Sequence, residues 1–481
     1  MHARAFSSSF TPDRYFIFCW SRVHLPEGAS LNTNPACFSL PPPSLSLSSP
    51  APLLLLCRLS FGKDRSRVFL RLLSPMCFEM FRFKPSSWFS SRDTMDSQAP
   101  QVGAAASISC IEQSLCQIPI FSNAVYYPNW RIYKSSPPSS LKLGYVSHVF
   151  YAFAWVKPDG TVYLSDEWAD EQMPVDGAKG CIRAFTQSKR QYPQLKVILS
   201  IGGGGAGSEN FAAVAADPVL TANFVETAKN LVDKFSLDGL DVDWEHPSDP
   251  QQGINYISLL AALREQLPAP QYILSSALPA GQWALQHINL HLAQYYLDVI
   301  NVMTYDFSGP WVPQCGHQSQ LFAPEQPHND AAHLSCSSAV SYLLAQGVPP
   351  HKILMGIPVY GRGFPGTNCV GQYSCPAPDG SDKPVDDGAG NEKEIVFDYC
   401  DLPVPGSIEQ HDPEVGNAAF CVDNEQNSGF ISYDSPQSVK LKAQFVKQTG
   451  LAGLFYWHIA ADSTTAARSL IATGYNTMHD L

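Results

Sequence analysis

Charge is what this sequence has least of. Lys, Arg, Asp and Glu make up 15 % of its 481 residues, where about a quarter is usual. The surface must therefore be built largely of Ser, Asn, Gln and Pro. Basic residues are the scarcer sign, 31 against 43 acidic, and the formal net charge is -12. A phosphate backbone is held by clustered Lys and Arg, so the composition argues against a nucleic acid as ligand. A neutral polymer needs no opposite charge. No run of about 20 apolar residues is present to span a bilayer, and no membrane association is expected. The richest stretch, Leu53 to Leu56, follows Pro52 and is closed by Arg58. It lies too far from Met1 for an ordinary signal peptide, and the chain does not start with a basic region followed by an apolar one. No Cys or His spacing resembles a zinc site, and no Gly-x-Gly-x-x-Gly opens a helix after the first strand. Neither a metal nor another cofactor is expected.

Cysteine is plentiful, with 13 in the chain. Cys315, Cys336, Cys369, Cys375, Cys400 and Cys421 fall in loop-like sequence rich in Pro and Gly. Local pairs there fit an oxidising compartment. Cys315 and Cys336 are expected to pair, because both lie in one loop region between the sixth and seventh strands.

Residues 1–115 differ from the rest. They hold Pro41 to Pro43, several Ser runs and no sustained period of 2 or 3.6. Such a segment cannot bury a core and is expected to be disordered. It reads as an extension ahead of a start at Met95, the alternative being an unusual targeting region.

From Asn123 onward, short β-rich runs recur, mostly separated by helical stretches. Eight strands are expected: Ala124–Tyr127, Val146–Ala154, Lys196–Ile201, Gly239–Trp244, Tyr272–Ala277, Val299–Thr304, Ile353–Val359 and Gly453–Trp457. Several are apolar almost throughout, as parallel strands covered on both faces are. Between two of them, Asp217 and Pro218 make a helix cap and first turn. Leu220, Phe224, Val225, Ala228, Leu231, Val232 and Phe235 then recur at helical spacing. Strands and helices alternating eight times imply an α/β fold, a (β/α)8 TIM barrel spanning 120–475. A Gly-, Pro- and Asp-rich insertion at 364–434 reads as a small α+β subdomain between strands seven and eight.

The chemistry is written in Leu237-Asp238-Gly239-Leu240-Asp241-Val242-Asp243-Trp244-Glu245. Side chains alternate faces along a strand. Asp241, Asp243 and Glu245 therefore share one face, and Leu240, Val242 and Trp244 the other. The apolar face suits the helix layer, so the acids point into the barrel and toward its C-terminal mouth, where catalytic groups sit. Three carboxyls in a buried row raise one another's pKa and hold a shared proton near neutrality. A proton ending on Glu245 makes that residue a general acid.

This row resembles the Asp-x-x-Asp-x-Asp-x-Glu motif of family 18 glycoside hydrolases, the chitinases. Four further segments resemble that family in order: Ser200-Ile201-Gly202-Gly203; Met303-Thr304-Tyr305-Asp306 with Gly309-Pro310-Trp311; Tyr360-Gly361-Arg362; and Trp457. The likeness is to the filamentous-fungal, bacterial-type branch with an insertion domain. It implies a hydrolase of β-1,4-linked N-acetylglucosamine polymers, active as a monomer on chitin and chito-oligosaccharides. The resemblance and the cysteine usage together imply an extracellular enzyme. Glu245 would protonate the glycosidic oxygen. Asp243 would pass from Glu245 to the substrate's acetamido N–H, Asp241 would tune the pair, and Tyr305 would hold the acetamido oxygen. Trp457 would floor the sugar at the cut. Tyr126, Asp238, Gly203, Met303, Asp306, Trp311, Tyr360 and Arg362 are counted with the cleft. The acids lie on one strand, and the family's nucleophile is the substrate's own acetamido oxygen. One departure stands out: an aromatic residue often follows Ser-x-Gly-Gly in relatives, and here the chain runs Gly204-Gly205-Ala206. The other readings are a chitinase-like lectin and an endo-N-acetylglucosaminidase of N-glycans. A lectin of that class has usually lost the acid, which is present here.

Overall fold

A computed structural model of the chain describes residues 121–372, 395–425 and 428–481, together with two strands nearer the N-terminus. Those two, Cys57–Phe61 and Val68–Leu72, pair antiparallel as a separate ribbon. The remainder of the segment expected to be disordered lies outside the described residues.

Eight parallel strands close on themselves. They are β1 (Ser122–Pro128), β2 (His148–Val156), β3 (Lys196–Gly202), β4 (Gly239–Asp243), β5 (Ile273–Pro279), β6 (Val299–Met303), β7 (Ile353–Pro358) and β8 (Gly453–Trp457). Each pairs with the next, and β8 pairs with β1 to complete the ring. The strands are apolar on both faces because both are covered. Ala124, Tyr126, Phe150, Ala152, Ile198, Leu354 and Phe455 fill the barrel. The alternate residues, such as Val125, Val149, Leu240 and Val242, meet the helices in the outer core.

The helix Pro218–Phe235 illustrates how the outer layer is specified. The Asp217 carboxylate accepts from the backbone N–H of Val219 and of Leu220, satisfying two of the free donors at the helix start. Phe224, Val225, Ala228, Val232 and Phe235 are buried along its inner stripe. Trp244, just beyond β4, turns outward and stacks on Phe211, with ring centroids 5.6 Å apart.

The insertion forms a five-stranded antiparallel sheet. It begins with Tyr360–Phe364, four residues before the expected boundary, and continues through Ile395–Asp398, Gln410–Asp412, Ala418–Asp423 and Gly429–Tyr433. Its described helical piece is one 3-10 turn, Tyr399–Asp401. Tyr360 and Arg362 therefore belong to this sheet and reach the barrel mouth from it.

The expected Cys315–Cys336 bond is not formed; both are free and buried. The two enter different layers. Cys315 packs with Phe364 and Phe430 under the insertion. Cys336 opens the helix Cys336–Ala345 and directs its thiol at the carbonyl of Thr304, 3.7 Å away. No described helix is long and apolar enough to cross a membrane.

Candidate active site

The C-terminal ends of the strands surround a cavity of about 320 Å3. Its wall includes Tyr126, Asp243, Glu245, Met303, Tyr305, Asp306, Tyr360, Arg362 and Trp457, nine of the residues expected at the site. Of the others, Asp241 lies beneath the wall, Trp311 is half-exposed outside it, and Asp238 and Gly203 serve elsewhere.

Asp241 is the deepest acid, fully buried. One carboxylate oxygen accepts from the hydroxyls of Tyr126 at 2.8 Å and Ser200 at 2.7 Å. The other accepts from Ser275 at 2.6 Å and from the Asn301 amide at 3.3 Å. Burial raises its pKa, and the hydroxyls of Ser275, Ser200 and Tyr126 oppose the rise by favouring the anion. Asp243 has no such shell. It is buried, and its Oδ1 has no hydrogen-bond partner. Burial, then the charges of Glu245 and Asp241, push its pKa well up. Glu245 is the outermost of the three, and burial followed by the charge of Asp306 raises it to about 7. Asp241 is thus the acid best supplied with donors, and Asp243 and Glu245 share a proton near neutrality.

The other wall comes from β6 and the insertion. Asp306 adopts φ 61° directly after Tyr305, a left-handed conformation that turns the chain out of the barrel. Its carboxylate accepts from the Tyr360 hydroxyl and, at 2.7 Å, from Arg362 Nε. The Arg362 guanidinium also lies over the Trp311 ring, 4.9 Å from its centroid. Burial and the surrounding Asp243 and Asp306 charges keep the Tyr305 phenol protonated and able to donate. At the far end Trp457 stacks on Phe153 at 5.7 Å and meets Tyr126 at 5.5 Å. The peptide bonds Ala152–Phe153, Glu245–His246 and Trp457–His458 are cis.

Two expected cleft residues have other places. Asp238 sits at the N-terminal end of β4, about 20 Å from Glu245 by strand rise. There it accepts from the Val197 N–H at 2.7 Å and pairs with Lys189 at 2.5 Å. It joins the bottoms of two strands and does not reach the cavity. Gly203 contributes backbone: its N–H donates to the Asp243 carbonyl at 2.9 Å. A Cβ there would come within 2.7 Å of the Phe153 ring.

The profile described as Glycosyl hydrolases family 18 matches residues 122–462. The chain belongs to this family. It is 35 % identical over 376 residues to Endochitinase 1 of Metarhizium robertsii, covering 74 % of this chain and 85 % of that one. It is 33 % identical to Chitinase 1 of Aphanocladium album over the same shares. Among solved structures it superposes on Chitinase ChiA74 from Bacillus thuringiensis with a TM-score of 0.65 at 27 % identity, covering 74 % and 69 % of the two chains. On the Group IV chitinase of Ostrinia furnacalis in complex with allosamidin the TM-score is 0.64 at 25 % identity, covering 74 % and 98 %.

Several residues of this family 18 site escaped the sequence reading. Ser275 on β5 and Asn301 on β6 hold Asp241, and nothing local marks them. Phe153 and the half-exposed Trp130 extend the aromatic group around Trp457. Val396 and Asp398 reach the cavity from the insertion, and Asp398 is ion-paired to Arg131 at 2.7 Å. Among the described residues Asp398, Cys400 and Asp401 bring ligand-type atoms within 4.8 Å of one another, but Asp398 is already engaged by Arg131.

Proposed function

We propose that this chain hydrolyses the β-1,4 bonds of chitin and chito-oligosaccharides, retaining anomeric configuration, with Glu245 as the acid and the substrate's acetamido oxygen as the nucleophile. One observation carries the reading. The cavity's other carboxylates, Asp306 and Asp398, are each bound to an arginine. That leaves the Asp243–Glu245 pair, at the C-terminal end of β4, as the group able to move a proton. A retaining enzyme with a protein nucleophile needs a second carboxylate across the bond, about 5 Å from the first. Here the sugar supplies that nucleophile.

Glu245 gives its proton to the glycosidic oxygen as the bond from that oxygen to C1 breaks, and the alcohol leaves. The acetamido carbonyl oxygen bonds to C1 from the opposite face, giving a cyclic oxazolinium ion. Asp243 turns its unpartnered Oδ1 to the acetamido N–H and offsets the positive charge, and the Tyr305 hydroxyl orients the acetamido oxygen. Asp241 stays in its shell of donors and keeps the row from losing its proton downward. Glu245, now a carboxylate, takes a proton from water. The water oxygen bonds to C1 as the ring oxygen leaves, restoring the acetamido group and the starting configuration. Trp457 offers an apolar face to the sugar being cut. The acids, Tyr305, Asp306 and Trp457 all come from one chain, which supports a monomer as the working unit. The endochitinase and chitinase names of the relatives fit this substrate class.

The test is a side-by-side assay on N-acetylglucosamine hexamer and on cellohexaose. The hexamer is cut and cellohexaose, which lacks the acetamido group, is not. Comparable cleavage of cellohexaose would overturn the reading.

A further inference from the structure

Lys442 and Asp434 are charged residues that the mechanism above leaves unused, and the side chains of both are 1 % exposed. Asp434 follows Gly429–Tyr433, the last strand of the insertion. Lys442 lies on the next helix, Pro436–Thr449, which leads into β8. Its Nζ donates to the Asp434 carboxylate at 2.6 Å and to the Ser319 hydroxyl at 2.7 Å. The Ser319 hydroxyl donates in turn to the carbonyl of Thr304 at 2.6 Å. Thr304 is the residue before Tyr305.

We propose that Lys442 and Ser319 are positioning residues of the reaction, a relay that fixes the turn carrying Tyr305 and Asp306 and so the aim of the Tyr305 hydroxyl. The inference rests on the acetamido mechanism proposed above.

Burying two opposite charges costs desolvation that their attraction need not repay, and an apolar pair of the same volume is often as stable. Stability alone therefore gives little reason for Lys442. The direction of its hydrogen bonds gives a better one. An ammonium group has donors and no acceptor. With Lys442 donating to the Ser319 oxygen, the hydroxyl proton of Ser319 must point away from it, and the Thr304 carbonyl receives it. Without the ammonium the hydroxyl is free to turn.

The turn needs such holding. Asp306 stands at φ 61°, which a residue with a side chain keeps only where its surroundings impose it. Two consecutive residues grip the turn at both ends. Ser319 holds the Thr304 carbonyl, and the Gln318 carbonyl accepts from the Phe307 N–H at 3.0 Å. Gln318 is itself tied to the insertion. Its N–H donates to the Ser432 hydroxyl at 3.0 Å, and its side-chain amide to the Tyr360 carbonyl at 2.8 Å. The Thr304 hydroxyl donates to the Gly356 carbonyl of β7 at 2.7 Å. Thr304 is fully buried. The Cys336 thiol, 3.7 Å from the Thr304 carbonyl, is a weak donor and a poor substitute for Ser319.

The test uses the full chain and three variants. They are Ser319→Ala, the double variant Lys442→Met/Asp434→Asn, which leaves no charge buried alone, and all three substitutions combined. Each is assayed on N-acetylglucosamine hexamer well below its own melting temperature. Each is also titrated with chitobiose thiazoline, in which sulfur stands where the acetamido oxygen closes on C1. Ser319→Ala and the double variant are each expected to lower kcat about tenfold, part of the ~100-fold that a 1 Å misplacement can cost. KM stays within about twofold, and the thiazoline Kd rises with the loss in kcat, as for an interaction made in the transition state. The combined variant is no slower than the slower of the other two, because residues of one relay act together. Unchanged kcat in either variant, a loss carried by KM, or losses that multiply in the combined variant would overturn the proposal. A double variant that did not fold would also overturn it, since the ion pair would then be needed for stability. An unmodified chain that left the hexamer uncut would instead refute the chitinase reading.

Discussion

Glu245→Gln is expected to abolish turnover and, above neutral pH, to stabilise the fold. Glutamine has nearly the shape of glutamate and cannot give up a proton. Loss of a positioned general acid costs at least ~100-fold in turnover. The stability effect follows from the position of the group. Glu245 has a folded-state pKa of about 7, raised from 4.5 by burial and by Asp306. Below the lower value the carboxyl is protonated in both folded and unfolded chains and contributes nothing. As pH rises past it, the unfolded chain releases the proton first, and stability falls until the folded group ionises too. The full loss is roughly 3 kcal/mol. Glutamine carries no such dependence, and removing the Glu245 charge also relieves Asp243, whose pKa it helps raise. For a barrel of this size the difference corresponds to a Tm about 4 °C higher for the variant above pH 7, vanishing toward pH 4. Melting curves followed by circular dichroism between pH 4 and 9, beside hexamer turnover, measure both. A variant no more stable than the parent at pH 8, with the same pH slope, would mean that Glu245 is not held against its ionisation. Near-normal turnover would put the acid elsewhere.

Removing a donor to Asp241 acts at one remove. Ser275→Ala deletes a 2.6 Å hydrogen bond to that carboxylate and should cost about 1.5–3 kcal/mol of stability. Without that donor Asp241 competes better for the proton of the row. kcat on the hexamer should therefore fall about tenfold with KM little changed, an effect that a KM rise alone would contradict. Cys315 and Cys336 should both be alkylated when the chain is unfolded without reductant. A peptide linking the two under those conditions would refute their separation into different layers.

The parts of the protein with a short period were legible in the sequence. Apolar runs gave the eight strands to within a few residues, and alternation along β4 separated Trp244 from the acids on either side of it. Asp238 was misassigned because a motif is read as a line. Seven residues of extended chain carry it to the opposite end of the barrel, where the basic partners Lys189 and Lys196 lie. The cysteine pairing failed for a related reason: closeness in a loop does not say which layer each thiol enters. Ser275 and Asn301 come from other strands, and only closure of the barrel brings them to Asp241. Tyr360 and Arg362 directly follow the expected seventh strand, with nothing local to mark the change of sheet. The chain leaves the barrel at Val359, and both reach the cavity from the insertion's sheet, where antiparallel pairing with Ile395–Asp398 sets their register.

The most direct measurement of the central claim, that the substrate supplies the nucleophile, uses partly deacetylated chitosan digested in water enriched in oxygen-18. The label marks each newly formed reducing end, and tandem mass spectrometry identifies the sugar that carries it. If the acetamido oxygen attacks C1, every labelled end is N-acetylglucosamine, whatever sugar stood on the leaving side. Labelled glucosamine ends at the frequency of glucosamine in the polymer would contradict it.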